Sequence, residues 1–184
     1  MFDQERTSHT LPNAYDDYVA CFVEGRIIQT SFVMVDVAEI RAGDHIVTLE
    51  NGVQEVLWFG KSTLRGRGKL APICFEAGAV GNSEELRLSP NHRVYFSNPM
   101  VQLYFGTNAA LVAAKSLVNG TTIKQVEIDE ITYFHILTAQ HNVVFANGAP
   151  TETLFPDFLK TTSKMTAAFP FLRTYEAYLL GASV

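Results

Sequence analysis

From Cys21 onward, the sequence consists of short apolar runs, rich in β-branched and aromatic residues, that turn residues interrupt about every 8–15 positions. Two of these runs, residues 45–49 and 54–60, are joined across Asn51-Gly52, a dipeptide that strongly favours a tight β-hairpin. Residues 109–118 have the composition of a short helix, with alanines in its interior. We therefore predict an all-β domain over residues 21–153 that contains one short helix at residues 109–118.

Two flanking segments differ from this β-rich region. Residues 1–20 are polar and acidic without clear periodicity, and we expect a short arm there. In the tail over residues 154–184, apolar residues recur at spacings of three and four: Phe169, Leu172, Tyr175, Leu179 and Leu180. This pattern predicts a short amphipathic helix with Pro170 in its first turn. We expect the helix to dock on the domain; contact with a membrane or a partner is the alternative, and the low positive charge argues against a membrane.

Charge and hydropathy exclude several classes of protein. Lys and Arg number 14 against 19 Asp and Glu, which gives a net charge of −5, whereas nucleic-acid binders present a basic surface. No apolar run reaches the roughly 20 residues that span a bilayer. The first residues lack the basic and then apolar order of a secretory signal. We therefore expect a cytoplasmic protein that neither binds nucleic acid nor spans a membrane.

The two cysteines, Cys21 and Cys74, are too few for a disulfide framework or a cysteine-rich zinc site. Cys74 lies between Ile73 and Phe75 in an apolar run, which predicts a core position. Cys21 follows Ala20 at the point where the polar arm meets the β domain. A thiol at that point either is a small buried hydrophobic group or attacks the carbonyl of the residue before it. Such an attack, an N-to-S acyl shift, replaces the Ala20–Cys21 peptide bond with a thioester.

Two histidines lie in patterns that suit proton transfer. In Ser89-Pro90-Asn91-His92, the proline predicts a turn that points a hydroxyl and an imidazole towards the same place. Such a pair can polarise a carbonyl and protonate a departing amide nitrogen; a turn histidine that makes one hydrogen bond is the alternative. His135 alternates within an apolar strand, either as a core residue with a satisfied ring or as a site group.

The remaining polar positions predict no cofactor. The spacing of His92, His135 and His141 matches no compact ligand pattern, so we predict neither a metal nor another cofactor. Asn147-Gly148 is a strong turn signal and needs no functional explanation by itself.

Several segments, taken in their order along the chain, resemble the motifs of the Hedgehog/intein (Hint) autoprocessing domains. The first opens with Cys21-Phe22, Gly25 and Ile28 and continues through residues 37–48. The second is residues 88–92, with a hydroxyl residue three positions before a histidine. The third runs from His141-Asn142 to Asn147-Gly148. The resemblance is to the bacterial intein-like branch in particular, because residues 176–180 match its tail, and it spans residues 20–180.

This resemblance implies a pseudo-twofold, horseshoe-like all-β fold, here with a short C-terminal helical tail. It implies that Cys21 is the nucleophile on the Ala20 carbonyl, and that His92 holds and protonates the scissile amide nitrogen with Ser89 as a supporting partner. His135 occupies the strand position where inteins often carry Asp, and we expect it to move a proton to or from Cys21 or the amide. The substrate is then the chain's own N-terminal segment, and water or a small nucleophile accepts the acyl group.

One departure from the family pattern limits the predicted reaction. Splicing inteins end in His-Asn followed by Cys, Ser or Thr, whereas the equivalent residues 149–153 here are Ala-Pro-Thr-Glu-Thr. We therefore predict a single-turnover cleavage of the Ala20–Cys21 bond without splicing.

Two other functions stay open on the sequence. One is a catalytically inactive β module of the same fold that acts in binding. The other is a cysteine hydrolase that acts on other molecules with Cys21, His92 and Asn147, whose order and residue types permit it.

Overall fold

The computed structural model describes residues 20–155 and 166–181. The predicted arm, apart from Ala20, lies outside the described residues, as do residues 156–165 and 182–184 of the tail. The described residues form two antiparallel sheets and two short α-helices, so the prediction of an all-β fold with a short C-terminal helix is confirmed. In this part of the chain, no helix is long and apolar enough to cross a membrane.

Most of the described strands have two to four residues, whereas β6 has nine and β12 has ten. In order, they are β1 Phe22–Val23, β2 Ile27–Gln29, β3 Met34–Asp36, β4 His45–Thr48, β5 Gly52–Glu55, β6 Trp58–Gly66, β7 Ile73–Phe75, β8 Leu86–Leu88, β9 Arg93–Phe96, β10 Ala110–Ala113, β11 Ile123–Gln125, β12 Ile128–Leu137, β13 Val143–Ala146 and β14 Ala149–Glu152. One sheet has the order β11-β7-β8-β1-β12-β6. The other has the order β10-β9-β14-β13-β2-β3, and β4 joins it by pairing with β13 and β5.

The hairpin predicted at Asn51-Gly52 joins β4 to β5, but its second strand is shorter than we predicted. β5 ends at Glu55, and β6 begins at Trp58 and pairs with β12 in the other sheet. Val56, between the two strands, is fully buried. The apolar run at residues 54–60 therefore continues from one sheet into the other, because both of its ends have a sheet to pack against.

The position of β1 in the first sheet sets the surroundings of Cys21. β1 lies between β8 and β12, and Phe22 is the register partner of Leu88 on one side and of Phe134 on the other. Because the pairing is antiparallel, the residue before Phe22 lies beside the residue after Phe134. The register therefore places Cys21 next to His135, although 114 positions separate them in sequence.

The position of β14 in the second sheet brings another set of polar residues together. β14 lies between β9 and β13, and Thr151 is the register partner of Val94. The next antiparallel pair is Glu152 with Arg93. The sheet thus places a carboxylate beside the residue that follows His92.

The prediction of a helix at residues 109–118 is wrong. Residues 110–113 form β10, which pairs with β9 along its whole length, and a 3-10 helix, Ala114–Leu117, follows. Three of the four residues of β10, Ala110, Leu111 and Val112, are fully buried in the sheet, so strand pairing overrides the helical propensity of the alanines. The α-helix of this region is α1, Pro99–Phe105, whose first turn is capped by the Asn98 side chain.

The C-terminal helix α2 spans Thr174–Gly181 and begins later than Pro170, where we predicted its first turn. The segment before it is extended: the Pro170 carbonyl accepts a hydrogen bond from the backbone N–H of Leu111, and Leu172 N–H donates to the Leu111 carbonyl. α2 buries Ala177 and Leu180 against the domain, whereas Tyr175, Tyr178 and Leu179 are exposed. The helix therefore packs on the domain through fewer apolar positions than the sequence pattern predicted.

The core prediction for Cys74 is wrong as well. Ile73 and Phe75 are fully buried, but Cys74 between them is only partly buried. Side chains alternate between the two faces of a strand, so the two flanking residues occupy the core side and Cys74 faces outward.

Candidate active site around Cys21

Cys21 directly precedes β1, and both residues of the predicted scissile bond are almost completely buried. Ala20 is 4% exposed and Cys21 is 5% exposed. The backbone N–H of Cys21 donates a hydrogen bond to Ser89 Oγ at 3.1 Å, and the Cys21 carbonyl accepts one from the backbone N–H of Ser89 at 3.0 Å. Ser89 therefore holds the amide nitrogen of the Ala20–Cys21 bond in a fixed direction.

His135 contacts both reacting ends of this bond. Its Nδ1 lies 3.2 Å from the Ala20 carbonyl oxygen, and its Nε2 lies 4.0 Å from Cys21 Sγ. The tautomer with its proton on Nδ1 donates to the carbonyl and leaves Nε2 to accept a proton from the thiol. Burial lowers the pKa of His135, although the hydrogen bond with Ala20 opposes the effect. The ring is therefore neutral near pH 7 and able to act as a base.

Trp58 packs on the far side of this histidine. The two rings are stacked with their centroids 6.3 Å apart. Gly60 is the register partner of His135 on β6, and a methyl group at Gly60 would overlap the Trp58 ring. The glycine thus leaves room for the indole to cover the imidazole.

His92 is fully buried and packs edge-on against the Phe22 ring at a centroid distance of 4.5 Å. Its backbone N–H donates to the Ser89 carbonyl at 3.1 Å, which closes the predicted turn. Neither ring nitrogen makes a hydrogen bond of full geometry within the described ranges, although backbone groups of Cys21 and Glu152 lie close enough to act on the ring. Burial lowers the pKa of His92 to about 4, against the opposing effects of the Glu152 charge and of backbone groups of Cys21 and Glu152. The imidazole is neutral at rest and available for a new hydrogen bond.

Cys21 is protonated at rest. Burial raises the pKa of its thiol to about 12, although a hydrogen bond with Ser89 opposes the effect, and the negative charge of Glu152 raises it further. At pH 7 this corresponds to roughly one thiolate in 10⁵ molecules. Because the thiolate is the nucleophilic form, the sulfur needs a base at the moment of attack, and His135 is in contact with it.

Glu152 is part of these surroundings, and our reasoning from the sequence missed it. The sequence shows a glutamate among small residues after the Asn147-Gly148 turn, which by itself does not distinguish a buried carboxylate from an exposed one. The structure buries it completely. His141, which we weighed as a metal ligand together with His92 and His135, hydrogen-bonds to Glu152 instead.

Asn147 is placed in a turn. It is the residue after β13, with a positive φ of 47°. Its Oδ1 accepts a hydrogen bond from Ile27 N–H at 2.7 Å and its Nδ2 donates to the Glu85 carbonyl at 2.9 Å. Its backbone carbonyl accepts from Ser83. These contacts join the turn after β13 to β2 and to the loop before β8, and the structure brings Cys21, Ser89, His92 and His135 together without Asn147.

Comparison with known proteins adds the following findings. The profile of the family described as Hint domain matches residues 20–158. No curated protein matches the chain. Among solved structures, the chain is similar to a gp41-1 intein variant, with 18% identity, a TM-score of 0.46, and coverage of 72% of this chain and 98% of that one. It is also similar to a bacterial intein-like domain from Clostridium thermocellum, with 14% identity, a TM-score of 0.49 and coverage of 73% and 98%. A DnaB intein from Synechocystis sp. PCC 6803 has 8% identity, a TM-score of 0.49 and coverage of 73% and 98%.

Proposed function

The chain belongs to the Hint domain family of self-processing domains, and on that premise we propose that it cleaves its own backbone between Ala20 and Cys21 by an N-to-S acyl shift, without splicing. The observation that carries the proposal is the position of His135, which contacts both the Ala20 carbonyl oxygen and Cys21 Sγ. One imidazole can thus polarise the carbonyl and receive the thiol proton.

The proposed reaction begins with the attack of Cys21 on Ala20. As Sγ bonds to the carbonyl carbon, the thiol proton passes to Nε2 of His135, and Nδ1–H stabilises the negative charge that develops on the oxygen. The tetrahedral intermediate then collapses, the bond from the carbonyl carbon to the Cys21 nitrogen breaks, and the nitrogen leaves as an amine that regains one proton. The products of this step are a thioester and a free amino group, with no net gain or loss of protons.

His92 and Ser89 assist the departure of the amine in this proposal. Ser89 Oγ already accepts the N–H of the scissile amide. His92, which has a pKa of about 4, takes up a proton from solvent and delivers it to the departing nitrogen, while His135 returns the thiol proton to solvent, so both rings end neutral. Water or a small thiol then cleaves the thioester, which releases the segment that ends at Ala20 and leaves Cys21 with a free amino group and a free thiol.

Cleavage without splicing is supported by the strand that follows Asn147-Gly148. Residues 149–153 lack the His-Asn pair that asparagine cyclisation requires, and Thr151, Glu152 and Thr153 are fully buried in or next to β14. The sequence continues beyond this strand to residue 184. We therefore propose a single cleavage, on the N-terminal side of Cys21.

The test is incubation of the full chain with dithiothreitol or hydroxylamine, followed by intact mass spectrometry. We expect a peptide of residues 1–20 and a fragment that begins with Cys21. Cys21→Ala removes the nucleophile and abolishes the cleavage, whereas Cys74→Ala, at the half-buried cysteine outside the site, leaves it unchanged. His135→Gln slows the cleavage by about 10²–10⁴-fold, the usual contribution of a general acid–base group. Only full-length protein after the incubation, or undiminished cleavage by Cys21→Ala, contradicts the proposal.

The burial of the sulfur and the raised pKa of the Cys21 thiol favour a second candidate, a catalytically inactive β module that acts in binding. An inactive module gives no cleavage with either reagent, and Cys21 resists alkylation until the protein unfolds. The same burial argues against a hydrolase that acts on other molecules, since such an enzyme needs its sulfur open to a substrate.

A further inference from the structure

Glu152 lies at the centre of a buried polar cluster to which the proposed mechanism assigns no role. Its Oε1 accepts hydrogen bonds from the backbone N–H of Arg93 at 2.9 Å and from Arg93 Nη1 at 3.2 Å. Its Oε2 contacts Arg93 Nη1 at 3.3 Å and His141 Nε2 at 3.1 Å. Burial raises the pKa of this carboxyl, but the hydrogen bond from His141 and the charge of Arg93 outweigh it and hold the pKa below its ordinary value. The group is therefore a buried carboxylate at neutral pH.

The C-terminal part of the chain covers this cluster. The backbone N–H of Ala168 donates to His141 Nδ1 at 3.1 Å, and Phe171 packs edge-on against the same ring. The guanidinium carbon of Arg93 lies 3.9 Å from the centroid of the Phe171 ring. Both partners of the carboxylate are thus held in place by residues that precede α2.

The free-energy cost of burying the Glu152 carboxylate raises the question of why a charge lies here. Removing a carboxylate from water costs several kcal/mol, and its hydrogen bonds and ion pairs in a protein often no more than repay that cost. Overall stability therefore does not explain why a charge lies here. Its location does suggest a reason, because the amide it holds belongs to Arg93, the residue directly after His92.

Glu152 affects His92 in two ways. Its carboxylate accepts a hydrogen bond from the backbone N–H of Arg93 and so fixes the backbone just after His92, whereas the Ser89 carbonyl accepts one from the N–H of His92 itself. Its negative charge also acts on the His92 ring directly. The charges that act on this ring are the negative charge of Glu152 on β14 and the positive charge of Arg93 on β9, and backbone groups of Cys21 and Glu152 act on it as well.

We propose that Glu152 is a positioning residue for the acyl shift, which holds His92 beside the Cys21 amide and stabilises its ring while it carries the proton for the departing amine. This role rests on the proposed function. The carboxylate acts through His92 and is not a catalytic residue, since its hydrogen bonds in the described residues go to Arg93 and His141. The stabilisation matters only in the step in which the ring is positive, because at rest the ring is neutral.

The experiment compares cleavage of the full chain by dithiothreitol in wild type, Glu152→Gln and Glu76→Gln from pH 5 to pH 9. Glutamine retains the size of Glu152 and one acceptor oxygen but removes the charge. Glu76 is a matched control, since it also pairs with a cation, Lys124, but on the surface. We expect Glu152→Gln to cleave at least 10-fold more slowly at pH 7, with a deficit that stays nearly constant from pH 9 to pH 5, because the His92 ring titrates below this range in both proteins. Glu76→Gln should cleave at the wild-type rate.

A second measurement follows the His92 ring itself by NMR titration in a Cys21→Ala background, where no cleavage occurs. We expect Glu152→Gln to lower the midpoint of the His92 titration. If the single variant does not fold, Arg93→Gln with Glu152→Gln removes both charges together and leaves no buried charge unpaired.

The outcomes separate this inference from the proposed function. If wild type does not cleave, the proposed function fails. If wild type cleaves and a folded Glu152→Gln cleaves equally fast, the role of Glu152 is overturned. An unchanged His92 midpoint overturns it as well.

Discussion

The resistance of His92 to protonation predicts how acid destabilises the fold. Burial lowers the pKa of His92 from 6.5 to about 4. As the pH falls below 6.5, the unfolded chain binds a proton at this residue that the folded chain does not yet accept. The unfolded state is therefore stabilised relative to the folded state, and the free energy of unfolding decreases as the pH falls. Replacing His92 by glutamine removes this contribution.

The size of the effect follows from the shift. Each pKa unit is worth about 1.4 kcal/mol, so the shift of His92 amounts to about 3 kcal/mol when it is complete. Most of this loss in the free energy of unfolding occurs between pH 7 and pH 4.5, where it amounts to about 2 kcal/mol. His135 and Glu152 also have lowered pKa values and act in the same direction. The contribution of His135 is common to both proteins, so the comparison measures His92 together with its interaction with Glu152.

The assay is urea unfolding at pH 7 and at pH 4.5, followed by the fluorescence of Trp58, the only tryptophan. All chains carry Cys21→Ala so that no cleavage occurs during the measurement. We expect the parent to lose about 2 kcal/mol more stability than His92→Gln between the two pH values. His45→Gln, at an exposed histidine on β4, should lose as much as the parent. If His92→Gln loses as much as the parent too, the ring is solvated and the account of the site is wrong.

Three further perturbations test other parts of the site and its surroundings. Between pH 8 and pH 10.5, the free energy of unfolding of Cys21→Ala should fall by about 2 kcal/mol less than that of wild type, as measured by urea unfolding. The reason is that the unfolded thiol ionises near its ordinary pKa of 9.0, whereas the folded thiol keeps its proton up to about 12. Asn147→Ala should lower the free energy of unfolding by about 3 kcal/mol through the loss of two side-chain hydrogen bonds in a left-handed turn, yet leave the cleavage rate of the folded protein unchanged; a slowed rate would give Asn147 a part in the reaction. Gly60→Ala should displace Trp58 from His135, with a shifted emission maximum and a loss of about 1–3 kcal/mol in stability, and an unchanged spectrum would show that the indole does not depend on this glycine.

Local chemistry explains which features the sequence predicted. The hairpin between β4 and β5 follows from Asn51-Gly52, because Gly52 has the positive φ that such a turn requires. The turn before His92 follows from Ser89-Pro90, because proline favours a turn at this position and the His92 N–H closes it on the Ser89 carbonyl. The helix at residues 109–118 failed because alanine propensity is a weak preference, and pairing with β9 buries the same residues as a strand.

The sequence by itself determined the all-β class, the order of the turns and the identity of Cys21, Ser89, His92 and His135 as candidates, since each depends on residues a few positions apart or on motifs read directly from the chain. Only the tertiary structure decided that His135 contacts the Ala20 carbonyl, that the Cys21 thiol holds its proton, and that Glu152 is a buried charge next to the His92 turn. These properties depend on strand register between residues as much as 115 positions apart and on exclusion from water. Both the register and the exclusion from water are set when the two sheets form and pack, so neither can be inferred from a short stretch of sequence.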